Sequence, residues 1–398
     1  MADFRVIIVG GGIGGLTLAN CLQHANIDFV VLEGRKKIGL HFGSGVGIDP
    51  PAARILDQLG IFSDLESQFC GTAPTKAAVF RNINGKFLFE SNGYALAEAR
   101  TGYHCAFYRR PEVLQTLHKY IKDKNKVLVN KRVCEIEYQY GKPIVLCEDG
   151  SKDSGDIVVG CDGVHSAARK EMWRLTDFLT ANYRGLYAIS GPVEGLETGN
   201  IQIVAGRDEA LVEKLDKEYY LPNIPRYTEE DARLFAESKL EKILVSDTVQ
   251  ARFGDLWKKL RVSALVSVEE GDLKVWTSGK LVCSGDSVHK VTPESGIGTT
   301  IVTESVASLA NHLKSLMDYS AGKSLTSANI EDCLKLFEAH RHQRASDLTR
   351  FGKGGLAPYS GGESTQTEKY IAAEHVEYLP IPPRSVAGTM AFNQTQGY

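Results

Sequence analysis

The sequence predicts an α/β protein in which a parallel, dinucleotide-binding sheet is interleaved with a second, mixed sheet that faces a substrate. Three observations predict it. At the start of the chain a strand, a glycine-rich turn, a helix and a second strand ending in a carboxylate follow one another. Two later apolar runs, Asp156 to Gly160 and Lys280 to Ser284, read as further buried parallel strands, and each leads into a turn that pairs Asp with Gly. Between them, roughly 176 to 270 mixes short strands with an acidic helix around Glu229 to Leu244 and carries no phosphate-binding glycine loop, which marks an inserted substrate-facing segment.

The βαβ unit comes first. Arg5 to Val9 is the opening strand, the helix runs to about Gln23, and Phe29 to Leu32 is the second strand, with Glu33 at its tip. Gly10, Gly12 and Gly15 hold the GxGxxG positions, where they allow a tight turn, close approach of the backbone to a pyrophosphate, and close packing of helix on strand. The helix N-terminus offers free N–H groups and a positive dipole end to the phosphates. Glu33 can accept both ribose hydroxyls, and its charge disfavours a 2′-phosphate, so FAD or NAD is expected here rather than NADP. Arg35, Lys36 and Lys37 read as a solvated turn.

Further along, Arg109 and Arg110 precede Pro111, which opens a helix with Val113, Leu114, Leu117, Tyr120 and Ile121 on its apolar side. Lys126 to Val129, Val133 to Tyr138 and Pro143 to Cys147 read as strands of an antiparallel patch turning at Gly141 and Lys142. After Pro293, Gly296 and Gly298, a long helix buries Val302, Val306, Leu309, Leu313 and Leu316 on one stripe. The tail beyond Phe351 reads as a surface wrap or frayed end. The expected division is 1–75, 101–175 and 271–350 for the dinucleotide domain, 76–100 and 176–270 for the substrate domain, and 351–398 for the wrap.

Composition narrows the function classes. Of 398 residues 43% are hydrophobic and 24% charged, which supports a sizeable core, and a net charge of -3 gives no footprint for nucleic acid or an anionic membrane. Eight cysteines without a CxxC pair read as reduced thiols, with Cys161 and Cys283 expected to pack in the core. The chain enters its first strand directly, with no room for a signal peptide and no apolar stretch of spanning length, so a soluble, cytoplasmic protein is expected. No His, Cys, Asp or Glu cluster has metal-ligand spacing, and no metal is expected.

With Gly10 to Gly15, then Asp162, Gly163, Ser166 and Arg169 as DGxxSxxR, then Gly285, Asp286, His289 and Pro293 as GDxxHxxxP, nearly the whole chain resembles the group A FAD-dependent monooxygenases, whose fold is that of p-hydroxybenzoate hydroxylase. GDSVHKVTP and YRRPEVLQTL are most similar to a fungal secondary-metabolism branch that oxidises meroterpenoids, indole diterpenes and alkaloids. The resemblance implies FAD as cofactor, NADPH as co-substrate without a Rossmann domain of its own, and a hydrophobic prenylated or polycyclic small molecule as substrate. It implies epoxidation or hydroxylation by oxygen added at the flavin C4a position. Residue by residue, Glu33 would bind ribose, Gly47 and Arg110 would line the pyrophosphate and ribityl chain, and Asp286 would take a ribityl hydroxyl. Asp162 and Gly163 would serve FAD and NADPH entry. Pro293, Gly298 and Thr299 would lie beside the flavin ring. Arg184 and Tyr187 would be substrate-side donors to an oxyanion or an opening epoxide; the other reading makes them supports of the sheet. His165 and His289 lie inside cofactor motifs, where stabilising a turn is expected ahead of shuttling a proton.

Two departures keep a second function open. Relatives follow the GD motif with a glycine-rich run ending in Gly-Asn, whereas here Gly298 is followed by Thr299 and Thr300, two β-branched residues expected to face the flavin. The stretch from Gly191 to Tyr220 also looks short, as if the substrate sheet were trimmed. The alternative is a non-redox isomerase or cyclase on a degenerate flavin scaffold, opening an epoxide or steering a pericyclic step; a non-catalytic binding protein is the third class.

Overall fold

Val6, Ile7, Ile8 and Val9 are wholly or almost wholly buried, and so are Phe29 to Leu32 and Ile157 to Val159. Strands this apolar on both faces need cover on both sides, which only the interior of a parallel sheet supplies. The computed structural model describes residues 4–39, 45–68, 73–173, 179–205, 211–247, 249–293, 296–320, 325–353, 374–380 and 382. Among them the main sheet has six strands, ordered Thr277–Ser278, Leu281–Cys283, Ile157–Gly160, Arg5–Val9, Asp28–Leu32 and Val127–Leu128. All neighbours are parallel except the Thr277–Ser278 hairpin edge. This bears out the expected α/β fold. One detail is corrected: Val127–Leu128 extends the parallel sheet instead of joining the antiparallel patch, because Leu128 O accepts the N–H of Glu33.

Helix Ile13–His24 packs on one side of this sheet, against the helices Gly298–Tyr319 and Arg110–Lys119. Helix Gly298–Tyr319 buries Ile301, Val306, Leu309, Ala310 and Leu313, each large aliphatic contributing about 1.5–3 kcal/mol of transfer free energy. Helix Arg110–Lys119 has proline in its first turn and buries Val113, Leu114 and Leu117, as its spacing predicts. Val133–Gln139, Lys142–Cys147 and Lys152–Ser154 form an antiparallel meander. Its first hairpin turns at Tyr140 and Gly141 with φ of 49° and 76°, the left-handed pair a two-residue hairpin needs.

The inserted segment builds the second layer. Val212–Tyr220, Thr180–Ser190, Leu260–Asp272 and His289–Lys290 form a four-stranded antiparallel sheet. Asn200–Ala205, Ala77–Asn82 and Phe87–Ser91 form a three-stranded one, the first pair parallel. Helix Glu229–Glu237 is capped by Thr228 and Asp231 and covers one face of the larger sheet through Ala232, Phe235 and Ala236. The helix stops well before Leu244, contrary to expectation. Beyond it, Leu240 O and Lys242 O accept N–H groups of Gly254 and Phe253, and Ile243–Val245 pairs with Ala251–Arg252.

Most of the tail lies outside the described residues, but 374–380 lies against the core. Val376 is buried, and its N–H and carbonyl both bond to Gln58. Asn311 bonds His375 O and Glu377 N, and Tyr378 Oη donates to Cys21 O. Among the described residues no helix is long and apolar enough to cross a membrane.

Candidate functional site

The glycine turn after the first strand is shaped by close backbone approaches. Gly10 has φ 103°, and a Cβ there would stand 2.5 Å from Cys161 O. A Cβ on Gly15 would stand 2.0 Å from Gly10 O, so the helix can lie against the turn only without one. Gly12 differs. A Cβ there would meet no protein atom nearer than Cys161 O at 4.0 Å, so what its absence clears is a cavity.

That cavity, of about 250 Å³, lies where the three sequence motifs meet. Gly12, Ile13 and Gly14 come from the first motif, Cys161 and Gly163 from the second, and Ser284, Gly285, Asp286, Lys290 and Pro293 from the third. Gly47, Phe107, Arg110, Gly298, Thr299 and Val302 close it. The expected residues Gly12, Gly47, Arg110, Gly163, Asp286, Pro293, Gly298 and Thr299 are thereby brought together. Gly10, Gly15, Glu33 and Asp162 stand behind this wall and shape it.

Two helices present their N-termini here. Ile13–His24 and Gly298–Tyr319 both lack a side-chain cap, so their first N–H groups and positive dipole ends remain available to a ligand. Arg110 adds a full charge. It opens its own helix, where a cation is unfavourable, burial pulls its pKa down against the nearby charge of Asp286, and among the described residues no hydrogen bond or ion pair holds its guanidinium. A half-buried cation offset only by a carboxylate it does not touch is costly, and an anionic ligand lowers that cost. Glu33 is 7% exposed and is oriented by the N–H groups of Gly11 and Arg35, each at 2.8 Å, at the end of the second strand. Arg35, Lys36 and Lys37 are exposed, as a solvated turn requires.

The DG and GD motifs are latched together. Arg169 donates to Ser287 O at 2.9 Å and to Val164 O at 2.7 Å, and Ser287 Oγ donates to Gly160 O. Asp162 Oδ2 accepts Ala167 N–H at 2.7 Å, at the start of helix Ala167–Trp173, while Oδ1 is buried without a partner. Burial raises its pKa against those bonds. The carboxylate expected to serve the cofactor thus holds a helix start, and Gly163 alone of that pair lines the cavity.

Thr300 corrects a second expectation. It is 1% exposed, and its hydroxyl turns into the core toward Asp49 Oδ2 at 3.5 Å; only Thr299 faces the cavity. Adjacent helical positions differ by about 100°, so the pair cannot share a face.

Arg184 is outside the cavity lining. Its guanidinium bonds Glu213 at 3.0 Å and lies over the Phe235 ring at 5.1 Å, on the helix-covered face of the sheet. Glu213 is held below the usual carboxylate range by Lys239 and Arg184 against its desolvation. The geometry matches the sheet-supporting reading of Arg184 and does not match the catalytic one. Tyr187 lies on the opposite face, its ring over Gly185, where a Cβ would be 3.0 Å away. His289 is buried, its pKa lowered to about 4 by desolvation, with its ring 5.1 Å from Trp276. It is a neutral core residue. His165 is exposed and meets Arg226 at 3.3 Å. Cys283 is wholly buried with its thiol pushed up to about 12, whereas Cys161, expected in the core, borders the cavity; burial raises its pKa as well. The described cysteines are free; Cys70 lies outside the described residues. Among the described residues no group of His, Cys, Asp or Glu is placed to hold a metal.

Sequence reasoning missed Lys290 and Phe107. Lys290 directly follows the GD-motif histidine, and Phe107 occupies an outward position in the alternating strand Ala106–Arg109, so both left a readable trace.

A family model described as an FAD binding domain matches residues 3–351. The chain is 34% identical to the FAD-dependent monooxygenase penE of Penicillium thymicola, the match covering 99% of this chain and 91% of penE. This chain belongs to the FAD-dependent monooxygenases. It is 33% identical to the monooxygenase paxM of Penicillium paxilli over 97% of the chain and 89% of paxM. It is 35% identical to anuJ of Penicillium roqueforti over its whole length, but spans only 55% of anuJ. Klebsiella pneumoniae HpxO, solved with FAD and uric acid, has the same fold, with a TM-score of 0.69 at 22% identity over 92% of this chain and 91% of HpxO. The fold also matches 2,6-dihydroxypyridine-3-hydroxylase from Arthrobacter nicotinovorans, with a TM-score of 0.64 at 15% identity over 96% of this chain and 98% of the hydroxylase. The residues around the cavity fit FAD: a cradle cleared at Gly12, two uncapped helix N-termini and the half-buried Arg110 cation, without an ion pair among the described residues, suit a dinucleotide with an anionic middle.

Proposed function

We propose that this chain is an FAD-dependent monooxygenase that epoxidises or hydroxylates a prenylated or polycyclic fungal metabolite, with NADPH as reductant. The observation that carries it is the convergence of Gly12, Arg110 and the N-terminus of helix Gly298–Tyr319 on one cavity. Bound there, FAD supplies the capacity to accept reducing equivalents from NADPH and to activate dioxygen. The chain's own residues do the rest. The Ile13 helix start and Arg110 would bind the phosphates, Glu33 the adenosine ribose, Gly47 and Asp286 the middle of the cofactor, and Gly163 the edge open to NADPH. Gly10 and Gly15 would act by letting the turn close, and Asp162 by holding the DG turn in place. Pro293 and the N–H groups of Gly298 and Thr299 would flank the ring system, favouring negative charge on it.

The substrate would lie against the sheet face opposite helix Glu229–Glu237. That face carries Tyr183, Gly185 and Tyr187 beside Ala264 and Val266, with Tyr183 45% and Val266 38% exposed, an apolar surface suited to a hydrophobic molecule. Excluding water is its main task, because water diverts activated oxygen. Tyr183 and Tyr187 both bring a hydroxyl to that face, and Tyr187 would be the donor to an oxyanion or an opening epoxide. The domain division given above and a cytoplasmic location belong to the same proposal.

The non-redox alternative loses half its motive, because Thr300 faces the core. The reading of Gly191 to Tyr220 as short keeps the other half: the match to penE runs over 439 aligned positions against the 398 residues of this chain, so this chain lacks residues that penE has somewhere within the match. A smaller roof is the feature to test. Incubation with prenylated and polycyclic substrates under isotopically heavy dioxygen, with NADPH, should give one labelled oxygen in product. Products isomeric with substrate and free of label would replace the proposal with the isomerase reading.

A further inference from the structure

We propose that Lys290, acting with Asp286 as a charge pair on the cavity wall, sets the reduction potential of the flavin in this protein; this rests on the reading of the cavity as the FAD site. Lys290 Nζ lies 3.2 Å from Asp286 Oδ2. The lysine side chain is only 20% exposed, and both residues line the cavity together with Arg110, Pro293 and Thr299. Its backbone is fixed. Lys290 pairs with Gly271 and the neighbouring His289 with Asp272, and the His289 ring is buried against Trp276. The ammonium is therefore presented to the cavity from a strand anchored by its pairing and by the buried His289 ring.

The charges of the wall decide the consequence. Among the described residues Arg110 has no ion pair and feels Asp286 only as a nearby charge, which leaves its guanidinium for the pyrophosphate, whereas Lys290 and Asp286 are in direct contact and offset each other. Reduction adds negative charge to the flavin. A nearby cation in a partly desolvated wall favours that charge, and a nearby carboxylate opposes it. The intact pair holds the potential at an intermediate value, and removing either charge moves it in the opposite direction from removing the other. A carboxylate that served only to hydrogen-bond the cofactor would show no such antisymmetry.

The experiment uses FAD-reconstituted Lys290→Met, Asp286→Asn and the double variant. The midpoint potential is read by anaerobic reductive titration against a reference dye, and the electron deficiency of the oxidised flavin by sulfite titration. K290M should lower the potential and weaken sulfite binding about five-fold, D286N should raise it and tighten sulfite binding by a similar factor, and the double variant should return to within about two-fold of wild type. Single variants that keep FAD and shift together, or do not shift, overturn the proposal. A merely structural pair would lower the melting temperature of both singles and leave the potential unmoved. Should D286N fail to retain FAD, K290R and K290Q decide: K290R keeps the wild-type potential and K290Q lowers it, and any other pattern overturns the proposal. A wild-type protein that takes up no flavin would contradict the reading of the cavity, a distinct outcome.

Discussion

At the glycine end of the cavity, a Cβ on Gly15 would stand 2.0 Å from Gly10 O and one on Gly10 2.5 Å from Cys161 O, whereas the four-stranded antiparallel sheet leaves Tyr183 45% and Val266 38% exposed on the face away from helix Glu229–Glu237. The first region is fixed by contacts between backbone atoms, which tolerate no added carbon. The second is fixed by alternation along strands, which tolerates many side chains of similar character. A cofactor common to a family demands the former, and a substrate that differs among relatives permits the latter.

The sharpest way to break this comparison is Gly15→Ala. The clash with Gly10 O involves backbone on both sides, so we expect a loss of about 3 kcal/mol or more, seen as insoluble protein or a collapsed melting temperature. A soluble G15A that binds FAD normally would show that the turn is not constrained as described.

Arg110→Met should separate binding from folding. Because the guanidinium is half-buried at a helix start and held by no hydrogen bond or ion pair among the described residues, its removal should leave the FAD-free protein about as stable. FAD affinity should fall by about 2–3 kcal/mol, the worth of a charge-assisted hydrogen bond to phosphate. Isothermal titration with FAD and melting of the FAD-free protein give both numbers. Destabilisation without loss of affinity would make Arg110 a structural residue.

His289 predicts a pH dependence. Its pKa falls from the ordinary 6.5 to about 4 on folding, so the unfolded chain holds more protons between those values. Its contribution is fully present above pH 6.5 and is lost as pH falls toward 4, up to about 3 kcal/mol in all. Urea melts of wild type and His289→Gln across that window should converge at low pH. Parallel curves would mean that His289 titrates normally.

On the substrate side the expected effects are smaller. Arg184→Ala should cost about 1 kcal/mol of stability through its lost pair with Glu213 and packing on Phe235, and leave FAD reduction by NADPH unchanged. Abolished product formation at unchanged stability would restore a catalytic Arg184.

What could be read in the sequence follows the same division. The placing of Gly10, Gly12, Gly15 and Glu33 around one turn was legible because a strand, a tight turn and a helix fix their spacing along one segment, and Arg110 was legible from its position just before Pro111 at a helix start. Arg184 was not, because whether a strand residue faces a ligand or a covering helix depends on where helix Glu229–Glu237 docks, and neighbouring positions on a strand look in opposite directions. Thr300 failed for the helical version of that reason. Asp162 was misassigned because a carboxylate that holds a helix start and one that binds a cofactor occupy the same kind of turn. Lys290 carried its signal in plain view but pairs with Asp286 only once the turn is folded.

The central claim is most directly tested by the absorbance spectrum of the purified protein before and after anaerobic mixing with NADPH. The account predicts a yellow protein whose flavin band bleaches under NADPH and returns on admitting air. A protein that stays colourless after reconstitution with FAD, or a bound flavin that NADPH does not reduce even with candidate substrates present, would contradict it.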